Sequence, residues 1–204
     1  MLVSTFEILL KPQLPTNLSQ LGNVSRKILQ GYFLTIANPN NFNVSLDLSF
    51  TVSPSLVTIA VPNVLAINET FEFSRVLIFF DVNGVNQTVE FKPTERPDTR
   101  IASLSIPAKD TGLFILQPNP FAIIPTLPGF PGNPPQPFTT LLNVANFEVR
   151  GYVEIKPTSP ASPVQLLLTP EHRGTFFKDL TSEPQLDQIA YSLPTATGGS
   201  LFTL

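Results

Sequence analysis

His172 is the only histidine in the chain, and Glu171 precedes it directly, so this pair is the first place to look for acid–base chemistry. A histidine acts as a general base when a nucleophile lies within hydrogen-bond reach, and it binds a metal when further ligands share the ion. The chain has no cysteine and no Gly-x-Ser-x-Gly motif to supply such a nucleophile. The stretch TPEHRG (169–174) instead combines proline and glycine in the manner of a hairpin connection. We therefore expect His172 to be a turn residue and the protein not to be an enzyme. If the protein is an enzyme, His172 and Glu171 are the residues to mutate first.

The stretch DVNGVNQ (81–87) begins like a calcium-binding loop, with Asp81 and Asn83. It lacks a third oxygen ligand at the expected spacing and a terminal glutamate. Asn83-Gly84 between strand-forming residues predicts a hairpin with a type I′ turn, and this hairpin accounts for the same residues without a calcium ion. No phosphate-binding loop or dinucleotide motif occurs in the sequence, and we expect neither a metal nor a cofactor.

The composition limits which kinds of molecule the protein can bind. Charged residues make up 13% of the chain, against roughly 25% in a typical soluble domain, and the net charge is −3. There is no cluster of Lys and Arg to neutralise phosphates, so we expect no nucleic acid binding. A surface with few charges offers little repulsion between copies. We therefore expect a homo-oligomer or a protein partner.

The N-terminal stretch MLVSTFEILLKPQLP lacks the basic start and the apolar core of a signal peptide. The longest apolar runs, such as VLIFF (76–80), are too short to span a bilayer. The sequence predicts no transmembrane segment and, nominally, a cytoplasmic protein.

Strand patterns dominate the chain. In the stretch 43–54, apolar and polar residues alternate strictly, with Val44, Leu46, Leu48, Phe50 and Val52 on one face, as in a half-buried antiparallel strand. Other strands are predicted at 28–39, in a hairpin over 75–91, and at 100–106, 112–117, 147–156, 163–170 and 173–178. The stretch 182–193 fits a short helix or a strand from Gln188 to Leu193, and we favour the strand because its surroundings are β. Gly31 and Gly151, each followed by Tyr inside a strand, suggest a bulge or a close backbone approach.

Turn signals recur about every 8 to 12 residues, which predicts an all-β, antiparallel β-sandwich. The rhythm resembles an immunoglobulin-like sandwich, although the chain has neither the cysteine pair nor the core tryptophan of antibody domains. The resemblance therefore extends to architecture alone and implies no function.

The stretch PTLPGFPGNPPQPF (125–138) places proline at every third position, which lines one edge of an extended polyproline II helix. It lies within 37 residues, 111–147, that contain no charge. Three interpretations remain open: a packed loop or interface arm of one domain, a linker between domains, or an exposed ligand motif. We favour a single domain over 1–204 with a Pro-rich arm at 118–140; the alternative is a sandwich over 1–117 and a small β domain over 141–204.

The sequence thus predicts a non-enzymatic structural or protein-interaction protein that self-associates through the charge-free, Pro/Phe-rich region. The candidate contact residues are the large apolar side chains of this region: Phe121, Ile124, Leu127, Phe130 and Phe138. The alternative function is a sandwich that binds a glycan or a small apolar molecule through loops at one end.

Overall fold

The computed structural model describes residues 1–13, 26–52, 57–59, 67–69, 75–124, 139–144, 147–159, 163–178 and 186–204. Strands account for about 70% of the described residues and helix for 2%, which makes the protein all-β. The first ten strands are β1 (Leu2–Pro12), β2 (Lys27–Ala37), β3 (Val44–Val52), β4 (Val57–Ile59), β5 (Ile67–Glu69), β6 (Val76–Val82), β7 (Val85–Thr88), β8 (Lys92–Pro93), β9 (Thr99–Ile106) and β10 (Thr111–Pro118). They are followed by β11 (Ile123–Ile124), β12 (Thr139–Thr140), the single helical turn α1 (Leu141–Val144), β13 (Phe147–Ser159), β14 (Gln165–Phe177), β15 (Leu186–Ser192) and β16 (Leu201–Thr203).

Twelve strands form one curled antiparallel sheet, nine of them in the order β7-β6-β10-β2-β1-β13-β3-β9-β8. β14 pairs with β2 and carries β15 and β16 on its other edge. Two small ladders, β4 with β5 and β11 with β12, lie outside this sheet. Strands from before and after residues 125–138 belong to the same sheet, while the single-domain organisation stays a prediction.

The sheet divides into two branches at Gly31 in β2. β14 pairs with β2 over the full length of β2, so the two other strands share the remaining edge of β2. Residues 27–30 of this edge pair with β1, and residues 32–37 pair with β10. A Cβ on Gly31 would lie 2.9 Å from the Leu116 carbonyl oxygen and 2.9 Å from the Cβ of Gln117. Glycine is needed here because the backbones approach too closely for a side chain.

The two branches enclose a common aromatic core. Phe50 of β3, in the branch that starts with β1, stacks on Phe114 of β10, in the other branch, with 5.3 Å between ring centroids. Phe6 and Phe91 meet the Phe50 ring edge-on at 5.6 and 5.4 Å. Side chains from strands far apart in the sheet order therefore stabilise the curl through one hydrophobic core.

Several local predictions are confirmed. The five apolar residues of β3, from Val44 to Val52, are all buried, and the polar residues between them are half-buried except Thr51, whose hydroxyl is buried against Thr99. Asn83 and Gly84 have φ values of 55° and 68°, the two positive angles of a type I′ turn, between β6 and β7. The C-terminal stretch forms a strand, β15, rather than a helix.

Gly151, like Gly31, marks a close backbone approach. It lies in β13 between β1 and β3, and a Cβ there would lie 2.0 Å from the Thr51 carbonyl oxygen. The predicted close approach at Gly31 and Gly151 is therefore confirmed.

The prediction of a hairpin turn at TPEHRG (169–174) is wrong. β14 runs without interruption from Gln165 to Phe177, although Pro170 lacks an N–H. The Pro170 carbonyl accepts a hydrogen bond from Leu193 N–H at 2.8 Å, so its backbone polar groups face the edge shared by β15 and β16. No ladder bond to β2 is lost, because the missing N–H points away from that strand.

Two further features were not anticipated from the sequence. β10 and β13, the strands on either side of the Pro-rich segment, do not pair, because β2 and β1 lie between them in the sheet. β1 was not predicted, and it lies between β2 and β13. Its burial does not alternate, since Val3 and Ser4 are both buried next to a register shift, so a period of two is hard to recognise.

Candidate functional site

His172 lies in the middle of β14 and is buried, with 5% of its surface exposed. It is opposite Tyr32 of β2 and Tyr191 of β15, and both rings meet the imidazole edge-on. Successive strand residues point to opposite faces of the sheet, so Glu171 does not share its side. The Glu171 carboxylate instead pairs with Arg173 at 3.0 Å. The structure therefore does not bring together the His172–Glu171 pair considered from sequence.

The hydrogen bonds of His172 fix its tautomer. Its Nε2 accepts the backbone N–H of Glu7 at 3.0 Å, so the ring proton must be on Nδ1. Nδ1–H then donates to the Tyr191 hydroxyl at 3.1 Å, and that hydroxyl donates to Gln30 Oε1 at 3.3 Å. The Gln30 amide closes the circuit by donating to the Glu7 carboxylate at 3.3 Å and to its carbonyl at 3.4 Å.

This circuit keeps His172 neutral. Burial lowers the pKa of His172, and the nearby Glu7 carboxylate opposes the shift without reversing it. Burial also raises the pKa of the Tyr191 hydroxyl. Arg150 holds the Glu7 carboxylate from the solvent side at 2.6 Å. Both imidazole nitrogens are occupied by protein groups, so the network ties β1, β2, β14 and β15 together and leaves His172 no free lone pair.

The base of the Pro-rich segment is a second candidate site. Leu141 N–H donates to the Ala122 carbonyl at 2.9 Å, and Leu142 N–H donates to the Pro120 carbonyl at 2.9 Å. With the β11–β12 ladder, these bonds hold the two ends of the segment side by side. Ala122 and Leu141 are buried in the core.

Two side chains next to these anchors point outward. Phe121 is 73% exposed and Ile123 is 65% exposed, more than any other large apolar side chain that the structure describes. Phe121 was predicted as a contact residue, whereas Ile123 was not. Ile124 lies in β11, where it pairs with Thr139. The other three predicted residues, Leu127, Phe130 and Phe138, lie outside the described residues.

The outer edge of β15 is a third candidate site, and sequence reasoning missed it. All seven residues of the strand are exposed, and within the described part of the chain β14 is its only partner. Its large apolar side chains, Leu186, Ile189 and Tyr191, are between 43% and 51% exposed. The favoured strand interpretation of this stretch could have indicated the site, but only the sheet order shows which strand is at an edge.

Of three open grooves on the described sheet surface, the one lined by Val76, Phe79 and Phe91, among others, has a volume of about 390 Å³. A second, of about 440 Å³, is lined by Leu29, Phe33, Arg173 and Gln188, among others. The Arg173 guanidinium covers one face of the Phe33 ring, with its Cζ 4.7 Å from the ring centroid. The third, of about 370 Å³, has Phe80 and Leu104 in its lining and a rim of polar side chains.

The described ranges contain no group of three His, Asp or Glu residues that could hold a metal ion. They also contain no helix with the length and apolar character needed to cross a membrane. Comparison of the chain with protein-family models, curated proteins and solved structures finds no match.

Proposed function

We propose that this protein is a non-enzymatic structural or protein-interaction protein that self-associates through the base of its Pro-rich segment. The observation that carries the proposal is the exposure of Phe121 and Ile123, at 73% and 65%. Two large apolar side chains this exposed, only two positions apart in the chain, are typical of an interaction surface.

The energetics favour contact with another protein. Burying a Phe or Ile side chain stabilises a complex by about 1.5–3 kcal/mol relative to leaving it in water. The stretch from Thr111 to Phe147 itself carries no charge, and the Lys27 ammonium at its base already donates to the Leu142 carbonyl at 3.1 Å. The hydrogen bonds at Ala122 and Leu141 hold the two exposed residues in place, which lowers the entropy lost on binding.

We also propose that the curled sheet is a sandwich whose two layers are the branches that separate at Gly31. The support for this is the stacking of Phe50 on Phe114, which joins strands from the two branches. An aligned pair of layers with side chains interleaved between them is the arrangement of sandwich folds.

The proposed surface is tested by light scattering after size exclusion, over protein concentrations from 1 to 200 µM. We expect the wild-type protein to form an assembly that weakens at least tenfold in the double variant Phe121→Ser/Ile123→Ser. Val85→Ser is the matched control, since Val85 is a 54% exposed apolar residue on β7, away from this surface. A wild-type protein that stays monomeric throughout, or a double variant that assembles like Val85→Ser, would overturn the proposal.

A further inference from the structure

The backbone of β15 presents a regular row of hydrogen-bonding groups to the solvent. Leu193 N–H donates inward to the Pro170 carbonyl of β14, which fixes the alternation along the strand. Tyr191, Ile189 and Asp187 follow with the same inward direction, because the period is two and a residue's N–H and C=O share a side. The outward groups are therefore those of four residues: Leu186, Gln188, Ala190 and Ser192.

This edge lacks the features that normally prevent pairing between edges. Proteins protect exposed edges with proline, lysine, short strands or inward-pointing charges. β15 has seven residues, no proline and no lysine, and its one acid, Asp187, forms an ion pair with Arg26. At one end of the main sheet, by contrast, β8 is two residues long and contains Lys92 and Pro93, and at the other end β7 has only four residues.

We propose that β15 pairs with the β15 strand of a second copy, antiparallel and about a two-fold axis through Ile189. Outward residues must face outward residues across such a ladder, and the register with the longest overlap is the one centred on Ile189. It sets Leu186 opposite the partner's Ser192, and Gln188 opposite the partner's Ala190. Each of the four outward residues takes part in one such pair, and two bonds per pair give about eight hydrogen bonds.

The side chains and charges are self-complementary in this register. Ile189 faces the partner's Ile189 in a pair without direct hydrogen bonds, where side chains approach most closely. Asp187 faces the partner's Tyr191, so no like charges are opposite each other. The two Asp187 carboxylates are four residues apart along the ladder, roughly 14 Å, which is beyond the screening length at physiological salt. A second copy therefore fits the edge in backbone, in shape and in charge.

This interface uses a surface other than Phe121 and Ile123, so it succeeds or fails separately from the proposed function. All variants are therefore made in the Phe121→Ser/Ile123→Ser background, in which the other surface has been removed. The chain contains no cysteine, so an introduced thiol is the only one present.

The register is tested by disulfide trapping. Ile189→Cys places two thiols on the axis, where Cα atoms about 4.5 Å apart lie within disulfide range. Gln188→Cys is the matched control, since its partner residue is two positions away and about 7–8 Å distant, at or beyond that range. We expect the Ile189→Cys dimer to form under mild oxidation at least tenfold faster than the Gln188→Cys dimer or a Val85→Cys dimer. Equal rates at the three positions, or no dimer from Ile189→Cys, would overturn the proposal.

A second variant tests the interface without cross-linking. Ile189→Lys sets two like charges face to face on the axis, and we expect the dimer dissociation constant to rise at least tenfold. The circular dichroism spectrum and melting temperature establish whether the Ile189→Lys protein keeps its fold. If it does not fold, the rates of disulfide formation in Ile189→Cys and Gln188→Cys test the proposed pairing. A folded Ile189→Lys protein that dimerises like its parent would contradict the two-fold pairing.

Discussion

Replacing Gly151 with alanine tests whether the centre of the sheet is as tightly packed as the structure shows. The added Cβ would lie 2.0 Å from the Thr51 carbonyl oxygen and 2.8 Å from the Phe6 ring. An ordinary contact begins near 3.4 Å, so β13 and β3 would have to separate locally by about 1.4 Å (3.4 − 2.0). The obstacle at Thr51 is backbone, which cannot rotate away as the end of a flexible side chain can.

The cost can be estimated from the two effects of that separation. Overpacking alone costs about 1–3 kcal/mol, and weakened ladder bonds between β13 and β3 cost about 1 kcal/mol each. We expect Gly151→Ala to lower the free energy of unfolding by about 3–4 kcal/mol. For a chain of this size that corresponds to a fall in melting temperature of roughly 6–16 °C.

The assay is equilibrium urea unfolding at 25 °C, followed by circular dichroism and checked by calorimetry, with two control glycines. A Cβ on Gly199 would have no neighbouring atom within 4 Å, and its φ is not positive, so Gly199→Ala should change stability by less than about 0.5 kcal/mol. Gly84 has equal space but a φ of 68°, so Gly84→Ala should cost about 1–2 kcal/mol through backbone strain alone. A Gly151→Ala protein as stable as Gly199→Ala would refute the reasoning.

Two further predictions concern buried polar groups. Because burial lowers the pKa of His172 from its usual 6.5, the unfolded chain binds a proton more readily than the folded one, and the free energy of unfolding should fall as pH drops through 6.5 towards the lower folded-state pKa. Urea midpoints between pH 5.5 and 7.5 should show this slope in the wild type and a flatter slope in His172→Gln. Parallel slopes in the two proteins would contradict the prediction. The Tyr32 hydroxyl forms a hydrogen bond with Ser4 Oγ at 3.0 Å inside the core. Tyr32→Phe should therefore lower the free energy of unfolding by about 1–3 kcal/mol because it leaves the serine unpaired, and Ser4→Ala/Tyr32→Phe should lower it by less than the sum of the single changes. Strictly additive changes in the unfolding free energy would count against that bond.

Much of the local structure could be predicted from the sequence, because its causes are local. The alternation of β3 follows from side chains that point to opposite faces, and the hairpin at Asn83-Gly84 follows from two residues that tolerate positive φ. Gly31 and Gly151 were recognisable as close approaches because a glycine inside a strand otherwise weakens it. The lack of charge over 111–147 predicts an interaction surface, which stays a prediction, and Phe121 within this stretch is exposed.

The candidate sites depended on pairings between distant parts of the chain. His172 was expected in a turn, yet it is buried in a continuous strand because β2 pairs with β14 from Leu167 to Phe177 and Pro170 has its missing N–H on the other edge. Its partners, Glu7 and Tyr191, are 165 and 19 residues away. Among the described residues β15 has one neighbouring strand, and no pattern within its own sequence shows this. Local sequence indicated most of the segments that form strands, although not β1 and not the continuity of β14. Only the tertiary structure decided which strand is central and which edge stays open, because strand order depends on hydrogen bonds and core contacts between residues far apart in the chain.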